Sequence, residues 1–510
     1  MRHSIRWMLV IVLISHSTLA PAQTKQPLPD LSPIWKTTTI GLPTSDDLTA
    51  EVNRPAVDYI KALYQLTEVK ARELNRPIIP PAVPIGNGGL VYYTNNHGVA
   101  VRTVTFGTAF GERFQRGELF WASEGDFDLH NMTRELGQRV LLDAWRTAPS
   151  YSPICDAVLN QTSCRQIAIQ GDFVLHVDDA GFLPPPKKPE DVLVSYGVHN
   201  DAVGRTLIRD IDIPSGKLLR KFGNFEWLKD SRGSDFIVLG LPLVDGDARI
   251  FLTERGVQVH LLKIDFPKYC AAHFNSGPDR AIEASRKWEI ELARAPKRLI
   301  DDPHRRTHAL HLVEAQGLII APTNLGRIVA VDSVSGKIRW THEYAAIKAK
   351  RFPTFLPEWI VVPPVVVRDR YVYAPADFPE LLCLNATDGK KIWTAKKGDG
   401  LYPAVVGEQV LVIGRTSIRS LKLLDGAEQW KVDLPGLPCG RGVVLGDNYL
   451  VPVSEPKTWK GLIAVVDLKT TKLVDVLRPE KNQPIGNLVV HQDFLISQTL
   501  TELAVFPIKK

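Results

Sequence analysis

The sequence predicts an all-β fold: an eight-bladed β-propeller of four-stranded antiparallel blades, closed by its N-terminal strand. Three observations carry this expectation. A short unit recurs along the chain: an alternating apolar strand, a turn led by Asp or Asn, and a second strand that often ends on Trp. Two further strand-like segments precede each unit, giving four strands in roughly 35–55 residues, the size of one blade. The C-terminus supplies three strands of a last blade, and a matching fourth lies near the N-terminus.

In chain order, the first copy is Gly98–Trp121, ending GELFW. Gly204–Phe222 (GRTLIRDIDIPSGKLLRKF) is the second, with Phe in place of Trp. Gly256–Asp265 followed by Trp288 is the third, with a long insertion across its turn. Then come Gly326–Trp340 (GRIVAVDSVSGKIRW), Glu380–Trp393 (ELLCLNATDGKKIW), Ser417–Trp430 (SIRSLKLLDGAEQW) and the degraded Gly461–Val476 (GLIAVVDLKTTKLVDV). The eighth is split. Asn487–Val490, Phe494–Gln498 and Glu502–Phe506 end the chain, and Ser32–Thr39 (SPIWKTTT) completes them. Joining the termini by strand pairing leaves the ring only short, protected edges. Seven blades is the alternative, if the Gly256–Trp288 region is not a blade.

Within the unit each residue type has a physical task. Gly216, Gly336, Gly389 and Gly426 supply the positive φ of the hairpin turns. Trp35, Trp121, Trp288, Trp340, Trp393 and Trp430 offer a large flat body with one N–H, suited to docking one sheet on the next. Cys383 lies in an apolar strand and reads as core. Two segments break the pattern. Over Asp47–Leu74, the residues Ile60, Leu63, Tyr64, Thr67, Ala71 and Leu74 share a helical face, and Met132–Trp145 is a second helix candidate. We place these as helical insertions over about 44–77 and 124–165. Asp279–Arg306 is charged and reads as a surface excursion. Trp145, Trp227, Trp359 and Trp459 have no place in the repeat.

The N-terminus reads as a signal peptide over 1–22, leaving 23–510 as a single propeller domain. Arg2, His3 and Arg6 precede an apolar run at Trp7–Ser15, and Ala20-Pro21-Ala22 is a small-x-small cleavage site. The apolar run is too short to span a bilayer, which takes about 20 residues. No transmembrane segment is expected in the mature chain. The first Cys is Cys155, which reads against a lipid anchor. The expected location is therefore periplasmic or secreted. The net charge of +6 over 510 residues is too weak to predict nucleic-acid binding. Cys155 and Cys164 either bridge a small loop or are free thiols, and no Cys/His spacing suits zinc.

The units AVDSVSGKIRW (Ala330–Trp340) and CLNATDGKKIW (Cys383–Trp393) resemble the PQQ-like β-propeller repeat. This repeat occurs in quinoprotein alcohol dehydrogenases and in the exported outer-membrane-assembly lipoprotein BamB. The resemblance covers 317–506 and extends over 80–123 and 171–292. For the enzymes it implies a disulfide between adjacent cysteines, a Ca²⁺ held by Glu, Asn and Asp, a catalytic Asp and a Trp floor. This sequence has no Cys-Cys pair and no CxxCH haem motif, and its Asp332, Asp425 and Asp467 fall at repeat turns. Neither PQQ nor Ca²⁺ is expected, and a PQQ-dependent dehydrogenase is the alternative function.

The expected function is a binding scaffold. Its partner would be a protein or polysaccharide of the cell envelope, and its state monomeric. Polar residues at recurring strand ends are the candidate ligand-face groups: Thr323, Asn324, Arg415, Arg441, Asn487 and Gln498. His304, His308 and His311 are spaced to share a helix face, but they lead into a strand at Leu310–Val313, which would split them between faces.

Overall fold

The fold was read from a computed structural model that describes residues 28–39, 61–125, 166–179, 206–223, 236–346 and 359–509, apart from single positions and pairs within 62–111, at 277, within 300–307 and at 481–482. Eight antiparallel sheets form the ring. Blades 1 to 7 span Ile85–Glu124, Ile167–Gly223, Phe236–Arg294, Val313–Glu343, Val365–Lys396, Gly400–Asp433 and Leu437–Leu477. Each runs from an inner strand at the axis to an outer strand at the rim. In blades 3 and 7 the inner strand is broken into two short pieces that pair with the same neighbour.

Blade 8 joins the termini. Trp35–Thr38 pairs antiparallel with Glu502–Pro507, with Trp35 opposite Val505 and Thr38 opposite Glu502. Backbone bonds continue the seam on both sides, from Asp30 N–H to Pro507 O (2.8 Å) and from Thr39 N–H to Thr501 O (2.9 Å). The Gly256–Trp288 region is a full blade, so the count is eight.

Burial explains why these segments are strands. The third strands are covered on both faces: Arg327–Asp332, Glu380–Asn385 and Gly461–Asp467 are buried except at their ends. Each apolar cluster is shared by neighbouring sheets. One joins Ile320 and Ala330 of blade 4 to Tyr371 and Leu382 of blade 5.

The turn after the third strand is built the same way repeatedly. Asp332 accepts from the N–H groups of Ser335 (2.8 Å) and Val334 (3.2 Å). Asn385 accepts from Thr387 (2.8 Å), and Asp467 from Thr470 (2.7 Å). The Asp or Asn of the repeat is therefore a turn cap. Just before it a register shift recurs, at Ala330/Val331, Cys383/Leu384 and Ser420/Leu421 among others, and tightens the local twist.

The tryptophans lie at the joints between blades. Trp121 donates to Ile213 O (2.6 Å), Trp340 to Ala386 O (3.1 Å) and Trp393 to Leu423 O (2.9 Å), each in the next blade. Each ring covers the turn glycine of that blade. A Cβ on Gly216, Gly336 or Gly426 would sit 2.6–2.7 Å from the ring of Trp121, Trp288 or Trp393, and Gly389 meets Trp340 in the same way. Trp35, from the N-terminal strand, covers Gly117 of blade 1. Trp430 packs with the blade 6 and 7 core, where Thr471 holds the turn at φ 58°.

Two expectations need correction. Asp279–Arg306 is not a surface excursion: Arg286–Arg294 is the outer strand of blade 3. The insertion across its turn is a helical pair, α2 (Phe266–Ser276) and α3 (Pro278–Ser285), packed toward blade 2. There Phe222 stacks on Phe251 at 3.9 Å and meets Tyr269 of α2, where a Trp joint would otherwise stand. The second correction is that Leu310–Val313 is not a strand; the inner strand of blade 4 starts at Val313. Of the first expected helix, the described residues of 61–73 are helical (α1). The candidate at Met132–Trp145, Trp227, and the pair Cys155 and Cys164 lie outside the described residues.

Candidate functional site

The two faces of the ring differ. On one, each inner strand turns into the second strand through two residues, as at 88–89, 246–247, 407–408 and 446–447. Gly88, Gly246, Gly407 and Gly446 take positive φ there, as tight hairpins require. The long connections 39–84, 125–166, 180–205, 224–235 and 344–364 all start and end on the other face. Blade topology dictates this: connections between blades, and between second and third strands, emerge on the same side.

All six candidate residues lie on that second face, but most of them are held by the fold. Thr323 is fully buried and donates to Arg327 O (2.8 Å). Asn324 accepts from the Tyr373 hydroxyl (3.1 Å). Gln498 donates to Thr94 O (2.9 Å), tying blade 8 to blade 1. Asn487 is fully buried and ties three segments: its amide donates to Pro80 O (2.8 Å) and Ala82 O (2.5 Å), while its carbonyl accepts from Arg441 N–H (2.8 Å). Arg415 sits on the connection after the second strand of blade 6, its N–H bonded to Asp399 O (3.2 Å).

Arg441 differs from the rest. Gly440 and Gly442 flank it, and a Cβ on either would collide with neighbours, Gly440 with the backbone of Gly486 and Gly442 with Tyr449. The backbone is thus pinned between blades 6, 7 and 8. The Tyr402 hydroxyl lies 2.9 Å from Gly440 O and accepts from Gly442 N–H (3.1 Å). Arg441 O accepts from Leu488 N–H (2.9 Å). The guanidinium reaches the segment that leads into blade 5, with Nη2 3.4 Å from Val361 O. Its Nε is buried with no hydrogen-bond partner.

His311, on the segment that leads into blade 4, lies close enough to feel the charge of Arg441. Burial, then the positive charge of Arg441, push its pKa down to about 3, so the imidazole is neutral. Burial also pushes Arg441 below its usual value, while the nearby Tyr402 and Tyr449 oppose that shift. Among the described residues no carboxylate offsets Arg441. Both basic groups remain partly exposed to solvent.

A second cluster on this face was missed by sequence reasoning. Lys397 lies over the Trp359 ring, 4.4 Å from its centre, and donates to Pro375 O. Burial pushes its pKa down to about 7, against the opposing charge of Asp377. Asp377 in turn accepts from Tyr344 (3.0 Å) and from Gly326 N–H (3.3 Å). Trp359, left over from the repeat, was the available signal. Trp459 is also accounted for: Arg72 of α1 stands 6.0 Å over its ring.

The described residues of the throat do not make a ligand set for a quinone-bound Ca²⁺. Such an ion takes about six to eight oxygen ligands, several of them carboxylates. Here the groups that converge are a guanidinium, an imidazole and two phenols, and the guanidinium repels a cation. Among the described residues no three His, Cys, Asp or Glu side chains cluster as metal ligands.

Residues 324–488 match the family model described as outer membrane protein assembly factor BamB. The repeat in this stretch is PQQ-like. Among solved structures, BamB from Moraxella catarrhalis is similar at 14% identity, over 67% of this chain and 96% of that one, with a TM-score of 0.36. A europium-containing methanol dehydrogenase is similar at 11% identity, over 83% of this chain and 90% of that one, with a TM-score of 0.46. No curated protein matches the sequence. No helix among the described residues is long and apolar enough to cross a membrane.

Proposed function

We propose that this protein is an exported binding scaffold that takes a protein or polysaccharide of the cell envelope on the ring face where its long connections begin and end. The observation that carries this reading is the asymmetry of the faces. One has two-residue turns between inner and second strands, and on the other the long connections begin and end. A rigid ring presents such connections at fixed positions, as binding loops require. The match of 324–488 to a BamB model supports a partner in the envelope. On this reading residues 1–22 are cleaved as a signal, and 23–510 form one monomeric propeller domain without a lipid anchor.

The test begins with the mature chain purified from the envelope, whose first residue is expected to be Gln23. Immobilised chain should retain a specific protein or polysaccharide from an envelope extract. With PQQ and Ca²⁺ supplied, an artificial dye should not be reduced by alcohols or sugars. Dye reduction would replace this reading with the dehydrogenase.

A further inference from the structure

We infer that the throat of the ring is a carboxylate-binding site, with Arg441 as its anchor and His311 as a second contact. The inference stands on the throat alone and does not depend on the scaffold reading. Four parts of the ring meet here. Blade 7 supplies Arg441, blade 8 fixes its backbone through Asn487 and Leu488, the segment leading into blade 5 faces the guanidinium with Val361 O, and the segment leading into blade 4 brings His311 near its charge.

A guanidinium keeps its proton in a protein, so Arg441 is charged however deep it sits. Removing such a charge from water is costly unless an opposite charge or a full set of hydrogen bonds replaces the solvent. Solvent still reaches part of the Arg441 side chain, and the protein supplies neither of these. The side chain has one long bond to Val361 O, Nε is unpaired, and no carboxylate among the described residues faces it.

The backbone is held on both sides, so any partner must come within reach of the Arg441 side chain from this fixed point. A planar carboxylate would complete the site, because the guanidinium fork matches it with two parallel bonds. A neutral imidazole beside it adds a donor without a second charge. The carboxylate has two possible sources: a small free acid, or the terminal or side-chain carboxylate of a bound polypeptide. Both make the same contact.

The test uses the mature chain in low-chloride buffer. Calorimetric titrations are made with succinate, with a short peptide carrying a free C-terminus, and with the same peptide amidated. At least one of the two carboxylate probes should bind, and the amidated peptide more weakly than the free one. Binding of succinate alone assigns the site to a small acid, and binding of the free peptide alone assigns it to a polypeptide terminus. Arg441→Gln should weaken binding about tenfold to a hundredfold, the loss expected for a charge-assisted pair. Arg441→Lys should fall between the two. Without ligand, Arg441→Gln should unfold at the same or a higher temperature than the parent, since it removes an uncompensated charge. That result separates lost binding from lost folding. If neither succinate nor the free peptide binds, or if Arg441→Gln binds as well as the parent, the site is not there.

Discussion

At the residue scale the joints are set by pairs in which an indole covers a glycine. Gly389 has φ 70° and faces the Trp340 ring. Gly389→Ala adds a Cβ that meets both a left-handed backbone and the indole. It should cost roughly 2–4 kcal/mol in urea unfolding; a loss below about 0.5 kcal/mol would mean the joint is loose. Blade 7 provides the converse case. Thr471 carries the same turn at φ 58°, a β-branched residue where the other copies have Gly. Thr471→Gly should therefore stabilise by about 0.5–1 kcal/mol, strain relief outweighing glycine's added entropy in the unfolded chain. These positions were legible because the repeat places the same side chain in the same neighbourhood several times. Arg441 and Asn487 were legible only as polar residues at strand ends. That one ties three segments together and the other lacks a counter-charge depends on contacts between distant parts of the chain, which no local pattern encodes.

Lys397 also belongs to this scale. Its folded pKa of about 7 lies well below the usual lysine value because burial disfavours the ammonium. Between pH 7 and the unfolded value the unfolded chain binds more protons, so stability should rise with pH over that window and be flat below it. From pH 7 to 9 the rise due to this group is roughly 2 kcal/mol. Lys397→Met should remove it, as read from the difference between parent and variant unfolding midpoints across that range. Equal slopes in the two proteins would show that Lys397 stays solvated.

At the element scale, alternation and turn chemistry identify the third and fourth strands of most blades, because the turn between them repeats and the third strand buries both faces against its neighbours. The helical pair α2 and α3 escaped for a physical reason. Its apolar contacts, Phe266, Tyr269, Ala281 and Ile282, are divided between two helices of 11 and 8 residues, each too short for a periodic signal. The pair replaces a tryptophan joint. Phe222 is buried between Phe251 and Tyr269, and Arg249 caps the cluster over the rings of Phe173 and Phe266 at 5.1 and 4.9 Å. Phe222→Ala should cost about 3–5 kcal/mol by cavity formation. If thermal unfolding is unchanged, blades 2 and 3 are joined elsewhere. By contrast α1 was legible, since its apolar positions recur over several turns.

At the scale of the whole molecule, the ring depends on a strand pairing that spans nearly the full sequence. Trp35–Thr38 completes blade 8, and Trp35 also covers Gly117 of blade 1, so one short segment closes both the sheet and the joint. A chain beginning at residue 39 should lose cooperative unfolding, while one beginning at residue 28 should keep it. The fold could be read at this scale because a propeller must close and the repeat count left one strand over. The face proposed to bind could not, because which side carries the long connections follows from strand direction within each blade. The claim that this face is the working surface is tested most directly by site-specific photocrosslinking in the intact envelope. One probe replaces the exposed Lys457 on that face, and another replaces Val334, 83% exposed on the opposite face. The account predicts a discrete crosslinked partner from position 457 and none from position 334. Equal capture from both positions, or capture from 334 alone, would contradict it.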